Sequence, residues 1–164
     1  RAAGLGAETA SLALRAGALA AVARAMPLVV YGDEGWRELL PDGVTLRPPV
    51  DYYGALPGLY AGAGLTVNAT SLLLPRGLTQ RHFDVWAAGG CLITDATPGL
   101  ELFPAALTAP VRYASPEQAG ALAASLLAQP QRRAELTASW REAIAAGHRY
   151  EHRLAALLER LETR

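Results

Sequence analysis

The chain contains no lysine: all fifteen of its basic residues are arginine. That excludes Schiff-base chemistry and a lysine-bearing phosphate loop, so any bound anion must be held by arginine or by backbone N–H groups. Cysteine is nearly absent too. Cys91 stands alone, which rules out an intrachain disulfide and a cysteine-based zinc cluster, and its neighbours Leu92 and Ile93 mark it as an inert buried thiol. Net charge is missing as well, because fifteen acidic residues balance the fifteen arginines. Nucleic-acid binding thereby loses its main electrostatic driving term. The longest apolar run near the start is broken by Arg15 and Arg24, too soon for a membrane span, and no secretory signal is recognisable. A cytoplasmic protein is the default expectation.

What is present fits one globular domain. The 164 residues are 51% hydrophobic and 18% charged, enough apolar material for a sizeable core. Leu12, Leu19, Val22 and Met26 recur at helical spacing and predict a helix over 7–26, ended by Pro27. Short apolar strands are predicted at 28–32, 44–46, 65–70, 91–94 and 110–114. Between them lie short helices around Trp36–Leu40, at 53–62 and at 80–88. Ser115-Pro116-Glu117-Gln118 combines an N-cap, a proline at the first helical position and a glutamine at the third, so a helix starts there. Two more follow, marked by Leu136, Trp140 and Ile144 and by Leu154, Leu157, Leu158 and Leu161. Strands alternating with helices predict an α/β, Rossmann-like three-layer domain over 1–164, with a parallel sheet of about five strands and a helical C-terminus.

In such a sheet, ligands bind beyond the carboxyl ends of the strands. Asn68 and Thr70 close one strand and Thr94 and Asp95 another, so polar residues collect at that edge. The segment GLTQRHFDVWAAGG leads into it. Its helix opens with Gln80, Arg81 and His82; Arg81 and Asp84 share a face with Gln80 and Ala88, while Phe83, Trp86 and Ala87 are expected to face the sheet. The helix N-terminus favours an anion, and Gly77 permits close backbone approach. A diphosphate there leaves Asp84, about one turn in, to accept hydrogen bonds from a ribose. A nucleotide carries both groups. The plain alternative is an exposed Arg81–Asp84 ion pair worth only ~0.3–0.5 kcal/mol.

Three weaker signals have plain readings. Gly4-Leu5-Gly6-Ala7-Glu8-Thr9 imitates a dinucleotide fingerprint without its third glycine or a preceding strand, and reads as a helix lead-in. His148 and His152 could share a metal, but a surface or inter-helix role fits better without a third ligand. Tyr52, Tyr53 and Tyr60 could stack on a base, although packing around a short helix is the commoner use.

The order VVYGDEGW, VDYYGALPGLY, LTVNAT, RGLTQRHFDVWAAGGCLITDATPGLELFP and HRYEHRL resembles the carboxy-terminal, donor-binding half of GT-B glycosyltransferases, specifically the spore-maturation (CgeB-like) group. The likeness spans residues 28–158 and implies a nucleotide-sugar donor at the sheet edge, with no further cofactor. By that resemblance Asp84 stands where the family usually has a ribose-binding Glu. Gly77, Leu78 and Thr79 offer donors to the diphosphate, with Gln80 and Arg81 beside them. The segment from Arg47 to Val50 lies by the base, Asn68 lines the cleft floor, and Asp95 closes the neighbouring strand. Arg76 departs from the pattern, since many retaining relatives have a second Glu eight positions ahead of the helix carboxylate. No acceptor-binding domain is recognisable, so the chain is expected to be part of a longer enzyme. The reading from another class is a non-catalytic nucleotide-binding or protein-interaction module.

Overall fold

The computed structural model describes residues 2–162, with the side chains of Ala2 and Ala3 excepted. Helix α1 (Ala2–Ala25) begins five residues before its predicted start. It absorbs Gly4 and Gly6, so the fingerprint-like run is helical and forms no phosphate loop. Strands β1 (Val29–Tyr31) and β2 (Thr45–Arg47) pair in parallel, Val29 opposite Thr45 and Tyr31 opposite Arg47. A 3-10 turn, Glu34–Glu38, joins them, with Asp33 capping it by accepting the Gly35 N–H at 2.9 Å.

After α2 (Ala55–Gly62) come β3 (Thr66–Asn68), α3 (Arg81–Ala87) and β4 (Leu92–Asp95). Pro57 sits in the first turn of α2, where its missing N–H has no intrahelical partner to lose. The double glycine after α3 has a defined role. Gly89, at φ 88°, takes the left-handed turn; its N–H reaches Trp86 O at 3.0 Å, and Gly90 N–H reaches Val85 O at 2.8 Å. This is a Schellman stop, and a Cβ on Gly90 would lie 2.4 Å from Tyr60 O. Then follow α4 (Ala105–Thr108), β5 (Arg112–Tyr113), α5 (Pro116–Leu127), α6 (Pro130–Gly147) and α7 (Tyr150–Glu162). The Ser115 cap forms as predicted, its hydroxyl accepting the Gln118 N–H at 3.3 Å.

All three strand pairings are parallel, and the fold is α/β and Rossmann-like, but the single sheet predicted divides in two. One sheet is β1-β2 and the other β3-β4-β5. The strands hold only two to four residues each. β5 is the shortest, confined between a 3-10 turn ending at Val111 and the Ser115 cap. In the larger sheet α5 packs against β4 and β5 and carries α1 on it, while α3 packs on β4 and against α6.

The core is aromatic where α3 meets α6. Trp86 and Trp140 stack at 5.0 Å with planes 4° apart, and the Trp140 indole N–H donates to Leu107 O at 3.2 Å. Cys91 is buried, and desolvation pushes its thiol up to about 11, so it stays protonated and inert. Residues Gly4–Ala25 of α1 have a mean hydropathy of 1.2, long and apolar enough to cross a membrane by length and composition, whereas Arg15 and Arg24 had argued against a span. A mostly buried core helix of a soluble protein and a signal sequence pass the same test, and 22% of this window is buried inside the protein. In this fold Ala18, Ala21 and Val22 of α1 are buried in protein.

Candidate functional site

Parallel pairing puts the carboxyl ends of β3, β4 and β5 on one edge, with Asn68 opposite Thr94 and Asp95 opposite Tyr113. The loop before α3 and the helix's first turn cover that edge. His82 is the residue that ties them together. In the sequence it belongs to the polar opening of the helix, yet it is only 2% exposed. His82, Val85 and Trp86 stand at helical spacing and are all buried, so this is the inward face. That spacing was the available signal. Ala87, expected to face the sheet, is exposed instead.

The His82 ring bridges loop and strand. Thr79 N–H donates to its Nδ1 at 3.0 Å, and its Nε2 lies 2.9 Å from Thr94 Oγ1. Burial holds the imidazole below its usual range, opposed by the Thr79 carbonyl, 3.3 Å from Nδ1, and by Asp95. Asn68, buried, donates to Thr94 Oγ1 at 3.0 Å and accepts from Arg81 Nη1 at 2.8 Å. Asp95 Oδ1 receives Thr70 N–H at 2.7 Å, Thr70 Oγ1 at 2.9 Å and Thr94 Oγ1 at 3.2 Å. Across the edge the Tyr113 hydroxyl donates to Asn68 O, and burial, reinforced by Asp95, raises its pKa. No buried side-chain N or O atom among the described residues lacks a partner.

Each residue singled out from the sequence can be placed. Asn68, Thr79, Arg81 and Asp95 belong to this network. Asn68 is a brace inside it rather than an open cleft floor. Thr79 N–H, expected to face a diphosphate, is given to His82. The Gly77 carbonyl accepts from Thr97 Oγ1 at 3.4 Å, and Gly99 packs so closely that a Cβ on it would lie 2.9 Å from Gly77 C. Gln80 occupies the cap position of α3 without a side-chain cap bond. Arg47 ends β2 in the other sheet, exposed, its carbonyl taking the Gly32 N–H at 3.0 Å.

The Arg81–Asp84 ion pair does not form. Arg81 is turned to Asn68, and Asp84 accepts the Tyr52 hydroxyl. The bond to Asp84 is the largest cause raising the Tyr52 pKa to about 12. Tyr52 was weighed only as a stacking or packing residue; thirty-two positions separate it from Asp84, and no local signal joins them. Nor are these tyrosines all packed away: Tyr53 is 89% exposed and meets Tyr52 edge-on at 5.0 Å.

Asp84 borders two hollows. One, of about 270 Å³, is walled by Tyr52, Tyr53, Leu56, Pro57 and Tyr60. The other, of about 140 Å³, is lined by Leu78, Gln80, Phe83, His148, Tyr150 and Arg153. His148 fills an inter-helix role, its ring 4.5 Å from Phe103, and burial lowers its pKa, helped by Arg153 and His152. His152 Nδ1 accepts the Arg149 N–H at 3.2 Å. The Arg153 guanidinium lies 4.9 Å over Phe83. Among the described residues no three His, Cys, Asp or Glu side chains gather as a metal site.

No curated protein and no solved structure matches the chain. Residues 15–159 match the glycosyl transferase-like family, a span that holds every element of this site. The chain belongs to the glycosyl transferase-like family.

Proposed function

We propose that this chain is the nucleotide-sugar-binding half of a GT-B glycosyltransferase of the spore-maturation, CgeB-like kind. One observation carries the reading: a carboxylate, Asp84, borders both a tyrosine-walled hollow and a mixed, arginine-bearing one, on the helix whose first turn covers the carboxyl ends of parallel strands. The tyrosine-walled hollow suits a base, by stacking. Asp84 suits the ribose hydroxyls, and the side bearing Gln80 and Arg153, with Arg81 turning to it from Asn68, would suit the diphosphate, as a lysine-free chain requires. Arg47 would approach the base from β2. Asn68, Thr79 and Asp95 would hold the loop, with Gly77 and Leu78 forming its ligand side. The enzyme would work in the cytoplasm without a further cofactor. A separate acceptor-binding domain would close the cleft and exclude water. The rival, a nucleotide-binding module without transfer, draws on Arg76, which leaves the donor sugar without a second carboxylate.

The test is a titration of uridine and guanosine diphosphate against amide NMR shifts, repeated with Asp84→Ala. Amides of residues 77–84 are expected to move in the parent. Loss of charge-assisted bonds worth ~1.5–3 kcal/mol corresponds to roughly 10- to 150-fold weaker binding by the variant. Equal binding by parent and variant removes Asp84 from the site. Sugar transfer or donor hydrolysis by the two-domain protein separates the enzyme from the rival module.

A further inference from the structure

We propose that His82 is a positioning residue of the donor site: its neutral ring, protonated on Nε2, pins the Thr79 segment to the ends of β3 and β4. It thereby sets where Leu78, Gln80 and Arg81 meet the ligand. The placement of a ligand there rests on the donor-site reading above; the pin itself rests on geometry.

The tautomer follows from the partners. A backbone N–H can only donate, so the 3.0 Å bond from Thr79 makes Nδ1 an acceptor. The ring proton is then on Nε2 and points to Thr94 Oγ1 at 2.9 Å. Thr94 passes its own hydrogen to Asp95 Oδ1 at 3.2 Å. Asn68 Nδ2 also donates to Thr94 Oγ1, which explains why Nδ2 and the ring Nε2, both donors, lie 3.3 Å apart. The remaining end of Asn68, Oδ1, takes Arg81 at 2.8 Å. A backbone N–H at one end and a carboxylate at the other therefore give nearly every member one role. Turning the ring breaks the Thr79 bond, and losing the ring loosens both the loop and the Asn68 brace that aims Arg81.

Protonation does the same without a mutation. A hydrogen on Nδ1 would confront the Thr79 N–H and would have to turn to the Thr79 hydroxyl, at 3.0 Å, or the Thr79 carbonyl, at 3.3 Å, as its acceptor. The groups around the ring divide. Asp95, reached through Thr94, favours the charge; burial and Arg81 oppose it. The Tyr113 hydroxyl on β5 is committed to Asn68 O and stays neutral.

Three variants separate the two arms of the ring. His82→Asn can keep an acceptor near Nδ1 for Thr79, His82→Gln can keep a donor near Nε2 for Thr94, and His82→Phe keeps neither. On the intact chain, imidazole ¹⁵N shifts should report the Nε2–H tautomer at pH 7.5. On lowering the pH, the Thr79 and Arg81 amides should titrate together with the ring. With uridine diphosphate as probe, His82→Asn should bind ~10-fold more tightly than His82→Phe, about one hydrogen bond's difference, and without the parent's acid-side loss. A ring in the Nδ1–H tautomer, or Thr79 and Arg81 amides indifferent to its titration, overturns the pin even if every variant fails to fold. Asn, Gln and Phe variants that fold and bind the probe equally overturn the positioning role. If uridine diphosphate moves no amide of the parent, the donor site falls, while the tautomer and the coupled titration still decide whether His82 is the pin.

Discussion

Tyr52 and Asp84 form a pair that neither residue's neighbours announce, and it has a measurable consequence. The phenol donates to the carboxylate, and that bond is the largest cause of its raised pKa, about 12, with desolvation second. An ultraviolet titration of the six tyrosines should show one ionising near 12 in the parent. In Asp84→Ala that group should fall toward the ordinary value of about 10, desolvation keeping it somewhat above. Tyr113, raised by burial first, should stay raised in both proteins and serves as the internal control. An unchanged profile in the variant would show that the two side chains do not meet in solution. At this scale the sequence was partly legible. Asp84 and Asn68 stood out by type and place, and Cys91 by its apolar neighbours. Contacts such as Tyr52–Asp84, and the inward turn of His82, depend on how a helix face lands on a distant loop.

At the scale of elements, legibility follows the range of the forces. Helix starts and stops are local: the Ser115 cap, the Pro27 stop and the Gly89-Gly90 turn are written in a few adjacent residues, and each forms. Strand ladders are not local. Two or three residue pairs hold each one, and whether β1 and β3 share a sheet depends on packing that no short window encodes. The seam between α1 and α5 is another long-range feature. Its tightest point is Gly120, where a Cβ would lie 2.6 Å from Ala21 O and 3.0 Å from Ala21 C. Because these are backbone atoms, Gly120→Ala forces the helices apart, an overpacking cost of ~1–3 kcal/mol. Improved helix propensity offsets roughly 0.8–1 kcal/mol of it. A net loss of up to about 2 kcal/mol is expected in urea unfolding. Gly147, the last residue of α6, has nothing within 4 Å and is the matched control. Its alanine variant should be neutral or slightly more stable. Equal behaviour of the two variants would mean that α1 and α5 are not in this close contact.

For the whole molecule the formal charge is zero, so stability against pH is governed by individual groups whose proton affinity changes on folding rather than by general repulsion. On the acid side these include His82 and His148, both lowered, chiefly by burial. Between their lowered values and the unfolded value of ~6.5, the unfolded chain binds more protons than the folded one. Their contribution is therefore complete above about pH 6.5 and is lost as pH falls through the lowered values. Glu34 and Glu117, lowered by hydrogen bonds at the surface, act in the same direction at more acid pH. On the alkaline side Cys91, Tyr52 and Tyr113 are raised, so the thiol's contribution is complete below about pH 8.5 and the phenols' below about pH 10, each lost as pH rises through the raised values. Urea midpoints measured from pH 5 to pH 10.5 should thus form a plateau from roughly 7 to 8.5 with a fall on the acid side and another, begun by Cys91, on the alkaline side. His82→Asn, which has no group to protonate at that position, should flatten the acid-side fall while leaving the alkaline limb alone. A midpoint that rises as pH drops below 6.5 would mean that the two histidines gain partners for their charged forms on folding, and the buried neutral His82 at the centre of the site would be wrong.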